Sequence, residues 1–448
     1  MKKLFYSLIF GLFSVICLIA QEITPATALY HYVNNGDKSY AWEVRDSFLV
    51  DNVTVKSLLL ISQKWQGILW KHELLVCLPD TISQDDALIY VSGGAVQDGF
   101  PRYTDQNDGM TQAIASIAAE NKAVTAILRQ TPNQPLMGGL NEDALISYTL
   151  DKFGKTGDYS LPLLFPMVKS AVRAMDAIQE LSSPSVVING FVISGASKRG
   201  WTSWLSAATG DKRIIAIAPM VIDMLNMAVT LDYQQKIYGE YSDEINDYTK
   251  LNIPQAVHTD FGKALVTMID PYSYRSQLTV PKLLTMGTND EYWTLDAAKH
   301  YIGDIPGDNY IHFVPNVGHS LGDKKEAFAT LSAFFGQTAA GIPYPECSST
   351  VSEQSKHITL NVKLSPDRII QARIWSAVSP IRDFRKAKWT SSPLPVGDKL
   401  TDTLKIKLQY APKNNFKAHY IELIYNSPNN TPYSLTTRTY VLDHKRVL

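Results

Sequence analysis

Ser194-Gly195-Ala196-Ser197-Lys198-Arg199-Gly200-Trp201 follows a mostly apolar run over residues 186–193 and precedes a helix-like segment. A serine set between a buried strand and a helix occupies a sharp, strained turn that presents its hydroxyl. Small residues must stand close by, where strand and helix approach each other. Gly195, two before Ser197, meets that need. Two after Ser197 the usual glycine is replaced by Arg199, and Gly200 comes one position later. A Gly-Ala-Ser turn that only caps a helix has the same local sequence, so the assignment depends on what stands elsewhere in the chain.

Two further elements supply the partners. The apolar segment 282–286 ends in Gly287-Thr288-Asn289-Asp290, and the segment 310–314 ends in Pro315-Asn316-Val317-Gly318-His319. Serine, acid and histidine thus occur in the order of the α/β-hydrolase fold, each just past a strand. Their separations of about ninety and about thirty residues suit that fold. In such a triad His319 takes the Ser197 proton, while Asp290 fixes and charge-stabilises the imidazole. The bland readings are a solvated loop histidine and a helix-capping aspartate; Glu291 is the substitute acid if Asp290 faces elsewhere. His300 and His312 fall within a predicted helix and a predicted strand and fit less well. An oxyanion hole needs two backbone N–H groups. Lys198 is expected to give one, and Gly94 or Ala95 the other, from Ser92-Gly93-Gly94-Ala95 after a strand at 88–91; a plain Gly-Gly turn is the rival reading.

Outward from these motifs, residues 40–94 carry short alternating β-runs at 42–50, 53–65 and 69–78, an antiparallel start. Helices at 110–119, 161–181, 295–301 and 324–335 then alternate with strands at 123–128, 186–193, 214–222, 282–286 and 310–314. This rhythm predicts a doubly wound, mostly parallel α/β sheet with helices on both faces. Insertions at about 132–160 and 223–270 break it and are expected to form helical lids. Beyond the Pro-rich stretch at 341–345 the helical signal stops. Strands predicted at 357–364, 368–377, 403–410, 418–426 and 436–442 suggest an immunoglobulin-like β-sandwich over 346–448, so that the hydrolase domain spans 21–345.

The 448 residues carry 42 Lys+Arg against 43 Asp+Glu, a net charge of −1, with no basic block, which excludes a nucleic-acid partner on electrostatic grounds. Met1-Lys2-Lys3 followed by an apolar run to Ala20 reads as a signal peptide over residues 1–20, hence a secreted or periplasmic protein without stable membrane insertion; an uncleaved anchor is the rival. Cys77 and Cys347 remain after cleavage and lie far apart in sequence, so two free thiols are expected over a disulfide. No zinc-ligand spacing occurs, and no cofactor or metal is expected.

Gly195-Ala196-Ser197-Lys198-Arg199-Gly200-Trp201-Thr202-Ser203-Trp204-Leu205 resembles the signature of the PhoPQ-activated pathogenicity-related family, as do Glu142-Asp143-Ala144-Leu145-Ile146-Ser147-Tyr148-Thr149, Gly287-Thr288-Asn289-Asp290-Glu291-Tyr292-Trp293 and Asp383-Phe384-Arg385. That family includes autocrine proliferation repressor-like proteins of amoebae. The resemblance implies an α/β-hydrolase fold and export, and it implies no substrate. Tyr292 and Trp293, with Tyr233, Tyr238 and Tyr241 of the second insertion, are expected to wall an acyl or peptide pocket, or else to pack within the lid. Glu142 and Asp143 are candidates to receive a substrate amine, against a purely structural role. Lys198 and Arg199 are candidates to attract an acidic substrate, or in the case of Arg199 to tie down the turn. Two functions follow: an acyl-enzyme hydrolase acting on a small-molecule or peptide ester or amide, and a secreted signalling or binding protein that uses the scaffold without catalysis.

Overall fold

The computed structural model describes residues 22–182, 186–354, 357–396 and 401–448, and the expected signal peptide lies outside them. After a short helix α1 (Ala28–Val33), three antiparallel strands form the edge: β1 (Ala41–Val50), β2 (Val53–Trp65) and β3 (Ile68–Pro79). The two-residue turn Gln66-Gly67 has φ of 47° and 81° at its two positions, the geometry that joins twisted hairpin strands. Then follow β4 (Asp86–Val91), a small hairpin of β5 (Val96–Gln97) and β6 (Phe100–Pro101), α2 (Gly109–Asn121), β7 (Val124–Leu128), α3 (Glu142–Thr156), α4 (Leu164–Ser182), β8 (Gly190–Ala196), α5 (Lys198–Ala207) and β9 (Ile214–Met220). The lid helices α6 (Met227–Tyr238), α7 (Asn246–Thr249) and α8 (Asp260–Ile269) precede β10 (Lys282–Gly287), β11 (Asn309–Val314) and α9 (Lys325–Ala339).

The sheet order β1-β2-β3-β7-β4-β8-β9-β10-β11, with β7, β4, β8, β9, β10 and β11 all parallel, is that of an α/β-hydrolase. Period-two alternation splits each buried strand between the two faces. Along β4, Ala87, Ile89 and Val91 join the core beneath α4 and α5, whereas Leu88 and Tyr90 join that beneath α2 and α9. The helix expected at 295–301 is only a pair of 3-10 turns, Ala297–His300 and Ile302–Asp304. Among the described residues no helix is long and apolar enough to cross a membrane.

The C-terminal strands are β12 (Cys347–Gln354), β13 (His357–Leu364), β14 (Ile369–Ser379), β15 (Thr390–Leu394), β16 (Thr403–Leu408), β17 (Phe416–Asn426), β18 (Pro432–Thr436) and β19 (Tyr440–Leu442). They form two facing sheets. Ile358, Leu360 and Val362 of β13 meet Ala372 of β14 and Ile421 and Leu423 of β17 in one core. One of these sheets is not separate from the hydrolase: β18 continues the main sheet beyond β11 through the Ile311–Thr436 pair, giving fourteen strands in all. The Thr436 hydroxyl reinforces the seam, accepting the Phe313 N–H at 3.1 Å and donating to the Ile311 carbonyl at 3.3 Å. Cys77, buried in β3, and Cys347 are both free thiols.

Candidate active site

Ser197 stands between β8 and α5 with φ 59° and ψ −125°, a conformation that an L-residue holds only when its surroundings impose it. The two glycines around it show how they do so. A Cβ on Gly195 would lie 2.8 Å from the Arg199 Cβ, and one on Gly200 would lie 2.8 Å from the Met220 carbonyl and 3.0 Å from that of Gly195. The second small residue of the turn is therefore Gly200, where the helix crosses the end of β9. Position 199 tolerates a large side chain because its stem runs over Gly195 and outward. The Ser197 N–H donates to Met220 O at 2.9 Å and locks the turn to β9.

Arg199 then threads past Gly93, where an added Cβ would meet its guanidinium at 2.7 Å. It donates to the Thr131 carbonyl at 2.6 Å and grips Glu142 with two bonds of 2.7 Å. Lys198 spans both acids, 3.0 Å from Glu142 and 2.8 Å from Asp143, while Tyr248 of α7 donates to the other Asp143 oxygen at 2.9 Å. Burial pushes the Glu142 carboxyl up, but hydrogen bonds and charge from Arg199, then Lys198 and Gln134, outweigh it and hold the group at about 2. The pair read as a candidate amine receptor is thus already matched by two internal cations.

At the other side of the site, His319 turns Nδ1 to Asp290, 2.9 and 3.1 Å from its two oxygens. Asp290 is 7% exposed and also accepts the Tyr292 N–H at 2.8 Å. Glu291 serves the loop rather than the ring, because its carboxylate accepts the backbone N–H of His319 at 2.8 Å. The Tyr292 ring stacks on the imidazole with centroids 4.0 Å apart. His319 Nε2 is buried without a hydrogen-bond partner among the described residues, Ser197 Oγ included; in ligand-free enzymes such bonds are often long and close with substrate.

Both loops are held from the C-terminal part. Asn289 donates to the carbonyls of Phe384, Arg385 and Ala387 at 3.3, 3.1 and 2.7 Å. Asn316 pairs with the backbone of Trp389 in both directions, at 3.1 and 2.8 Å. Sequence reading missed these two asparagines, since neither carries chemistry and their partners lie about seventy to a hundred residues away. In the loop after β4, the carbonyls of Gly93 and Ala95 accept the Gln130 and Arg102 N–H groups, and that of Gly94 accepts from the Gln134 side chain. The N–H groups of Gly94, Ala95 and Lys198 make no hydrogen bond among the described residues.

An apolar cavity opens at Ser197 and Lys198 and runs beneath the lid. Tyr292 and Trp293 line it as expected, and Trp293 donates to Val221 O at 3.2 Å. Tyr233 and Tyr238 do not line it. Tyr233 donates to Asp296 at 2.8 Å and accepts from Lys299 and Arg382, and Tyr238 donates to Trp293 O at 3.0 Å under the Arg385 guanidinium. Buried phenols need partners, and these two find theirs in Asp296 and the Trp293 carbonyl. Leu231, Tyr248, Ile253 and Leu265 take the wall positions instead.

The sequence profile of the family described as PhoPQ-activated pathogenicity-related protein matches residues 29–385. Autocrine proliferation repressor protein A of Dictyostelium discoideum is 32% identical over 389 residues, covering 80% of this chain and 76% of that protein. Among solved structures, acetyl xylan esterase 1 from Thermoanaerobacterium sp. JW/SL YS485 aligns with a TM-score of 0.45 at 17% identity, over 68% of this chain and 93% of that one. An S-formylglutathione hydrolase from Agrobacterium tumefaciens aligns with a TM-score of 0.46 at 10% identity, over 67% and 100%.

Proposed function

The chain belongs to the PhoPQ-activated pathogenicity-related protein family, and on that premise we propose that it is an exported serine hydrolase that cleaves an ester or amide through an acyl-enzyme on Ser197. The observation that carries this reading is the His319–Asp290 pair, whose free, buried Nε2 belongs to a site that also holds a strained serine and unused backbone N–H groups.

In the proposed reaction Ser197 Oγ attacks the carbonyl carbon while its proton passes to His319 Nε2. Asp290, bonded to Nδ1, keeps the tautomer and balances the imidazolium. The N–H of Lys198, with that of Gly94 or Ala95, receives the oxyanion. His319 then protonates the leaving group, and water repeats the sequence to free the acid and restore the serine. Arg199, Glu142, Lys198 and Asp143 act as the brace of the elbow. A fluorophosphonate probe tests the reading: it is expected to label Ser197, and Ser197→Ala to abolish labelling and lower turnover by as much as about 10⁶-fold. Equal labelling of wild type and Ser197→Ala ends it.

The repressor relative favours a second reading, in which the protein signals from its surface. Growth-repressing activity that persists undiminished in Ser197→Ala selects that reading over catalysis.

A further inference from the structure

We propose that the lid cavity is an acyl-chain site and that the substrate is an ester of a medium-chain aliphatic acid; this rests on the hydrolase reading above. Position assigns the acyl half. Ser197 and Lys198 stand at the cavity mouth, whereas His319 is absent from its lining. The leaving group departs on the side of the histidine that protonates it, so the group directed away from His319 is the one left on the serine. Chemistry assigns the class. Leu231, Ile253, Leu265 and Ile269 from the lid line it together with Ile222 and Trp201, and its walls are mostly apolar. The polar groups at the mouth satisfy one another, since Lys198 and Tyr248 both bind Asp143. A peptide or sugar placed inside would lose its water without gaining hydrogen bonds, whereas each methylene gains by burial.

The step balances as an ester hydrolysis. The acyl carbon–oxygen bond to the alcohol breaks and one to Ser197 forms, the serine proton leaves with the alcohol by way of His319, and water then releases the fatty acid. A series of p-nitrophenyl esters from acetate to decanoate tests it on the purified protein. kcat/KM is expected to rise about two- to four-fold per methylene as far as octanoate. Leu231→Trp, on the half-buried lid helix, is expected to cut the octanoate-to-acetate ratio at least ten-fold, and Leu265→Phe serves if that variant misfolds. Binding of methyl octanoate to Ser197→Ala, read by tryptophan fluorescence, separates the two claims. Turnover that is flat or falling with chain length overturns the cavity assignment and leaves the hydrolase standing. Octanoate binding without any turnover or probe labelling upholds the cavity and overturns the hydrolase.

Discussion

Replacing Asn289 by Asp changes one atom's chemistry and almost no volume, and it strikes the joint between the acid loop and the C-terminal segment. The Asn289 amide reaches three carbonyls, at 3.3, 3.1 and 2.7 Å. Its two hydrogens make about two hydrogen bonds' worth of contact, each contributing ~0.5–1.5 kcal/mol. A carboxylate there makes neither bond, repels the carbonyl oxygens and strands them, a further ~1–3 kcal/mol. The total, about 2–6 kcal/mol, corresponds to a drop in Tm of only a few degrees, because a chain of this length melts with an entropy that makes 1 kcal/mol worth about 1 °C. Activity is the more sensitive reading, since Asp290 is the next residue and its hold on His319 depends on the loop. The fluorophosphonate labelling rate is expected to fall at least ten-fold. Acid relieves the defect: surrounded by carbonyls, the new carboxyl holds its proton to higher pH than in the unfolded chain, so the Tm deficit is expected to be smaller at pH 5 than at pH 8. Asn289→Asp that labels at the wild-type rate and melts within 1 °C of wild type refutes the proposed clamp.

Asp290→Asn is expected to lower turnover about 10⁴-fold by releasing the imidazole, and Glu291→Gln far less, because it weakens only a bond to backbone; equal losses on the same ester would reverse the assignment of the acid. Burial, aided by Asp290 and Asp296, pushes Asp223 up to about 8 against the hydrogen bond from Tyr301. Between about pH 4 and 8 the folded chain then keeps a proton that the unfolded chain has released, so stability falls as pH rises. Asp223→Asn cannot titrate, and its Tm advantage over wild type is expected to grow from pH 5 to pH 8; a constant difference contradicts the buried neutral acid. Truncation after residue 345 is expected to give insoluble protein, because it strips β18 from β11 and uncovers Leu331 and Phe334; a soluble, monodisperse fragment on gel filtration speaks against the shared sheet.

The sequence foretold most of the parallel sheet because its strands are buried on both faces and read as apolar runs. Ser197, Asp290 and His319 were legible as candidates because each follows such a run. Two edge strands were not: β12, with Cys-Ser-Ser-Thr-Val-Ser-Glu, and β15, with Thr-Ser-Ser-Pro-Leu, have one neighbour each and need little apolar alternation, and Pro393 fits only at an edge. The C-terminal strands fall into two sheets, and the fusion of one of them to the hydrolase sheet depends on one register pair that no local pattern announces. Arg199 looked like a flaw in the elbow motif until Gly200 proved to make the close contact with β9. The tyrosines of the lid illustrate the limit of composition: Tyr233 and Tyr238 follow their hydrogen-bond partners, while Tyr248 reaches the cavity mouth.

A sheet shared by both halves of the chain behaves as one beam. The seam at Thr436 and the asparagine ties to residues 384–389 fasten the C-terminal strands to β11 and to the loops that carry Asp290 and His319. Much of the cavity wall comes instead from the segment 223–270, whose helices are joined by turns. Lid and frame are separate stretches of the chain, so substitutions in the lid can reshape the cavity wall while the beam keeps Asp290 and His319 in place.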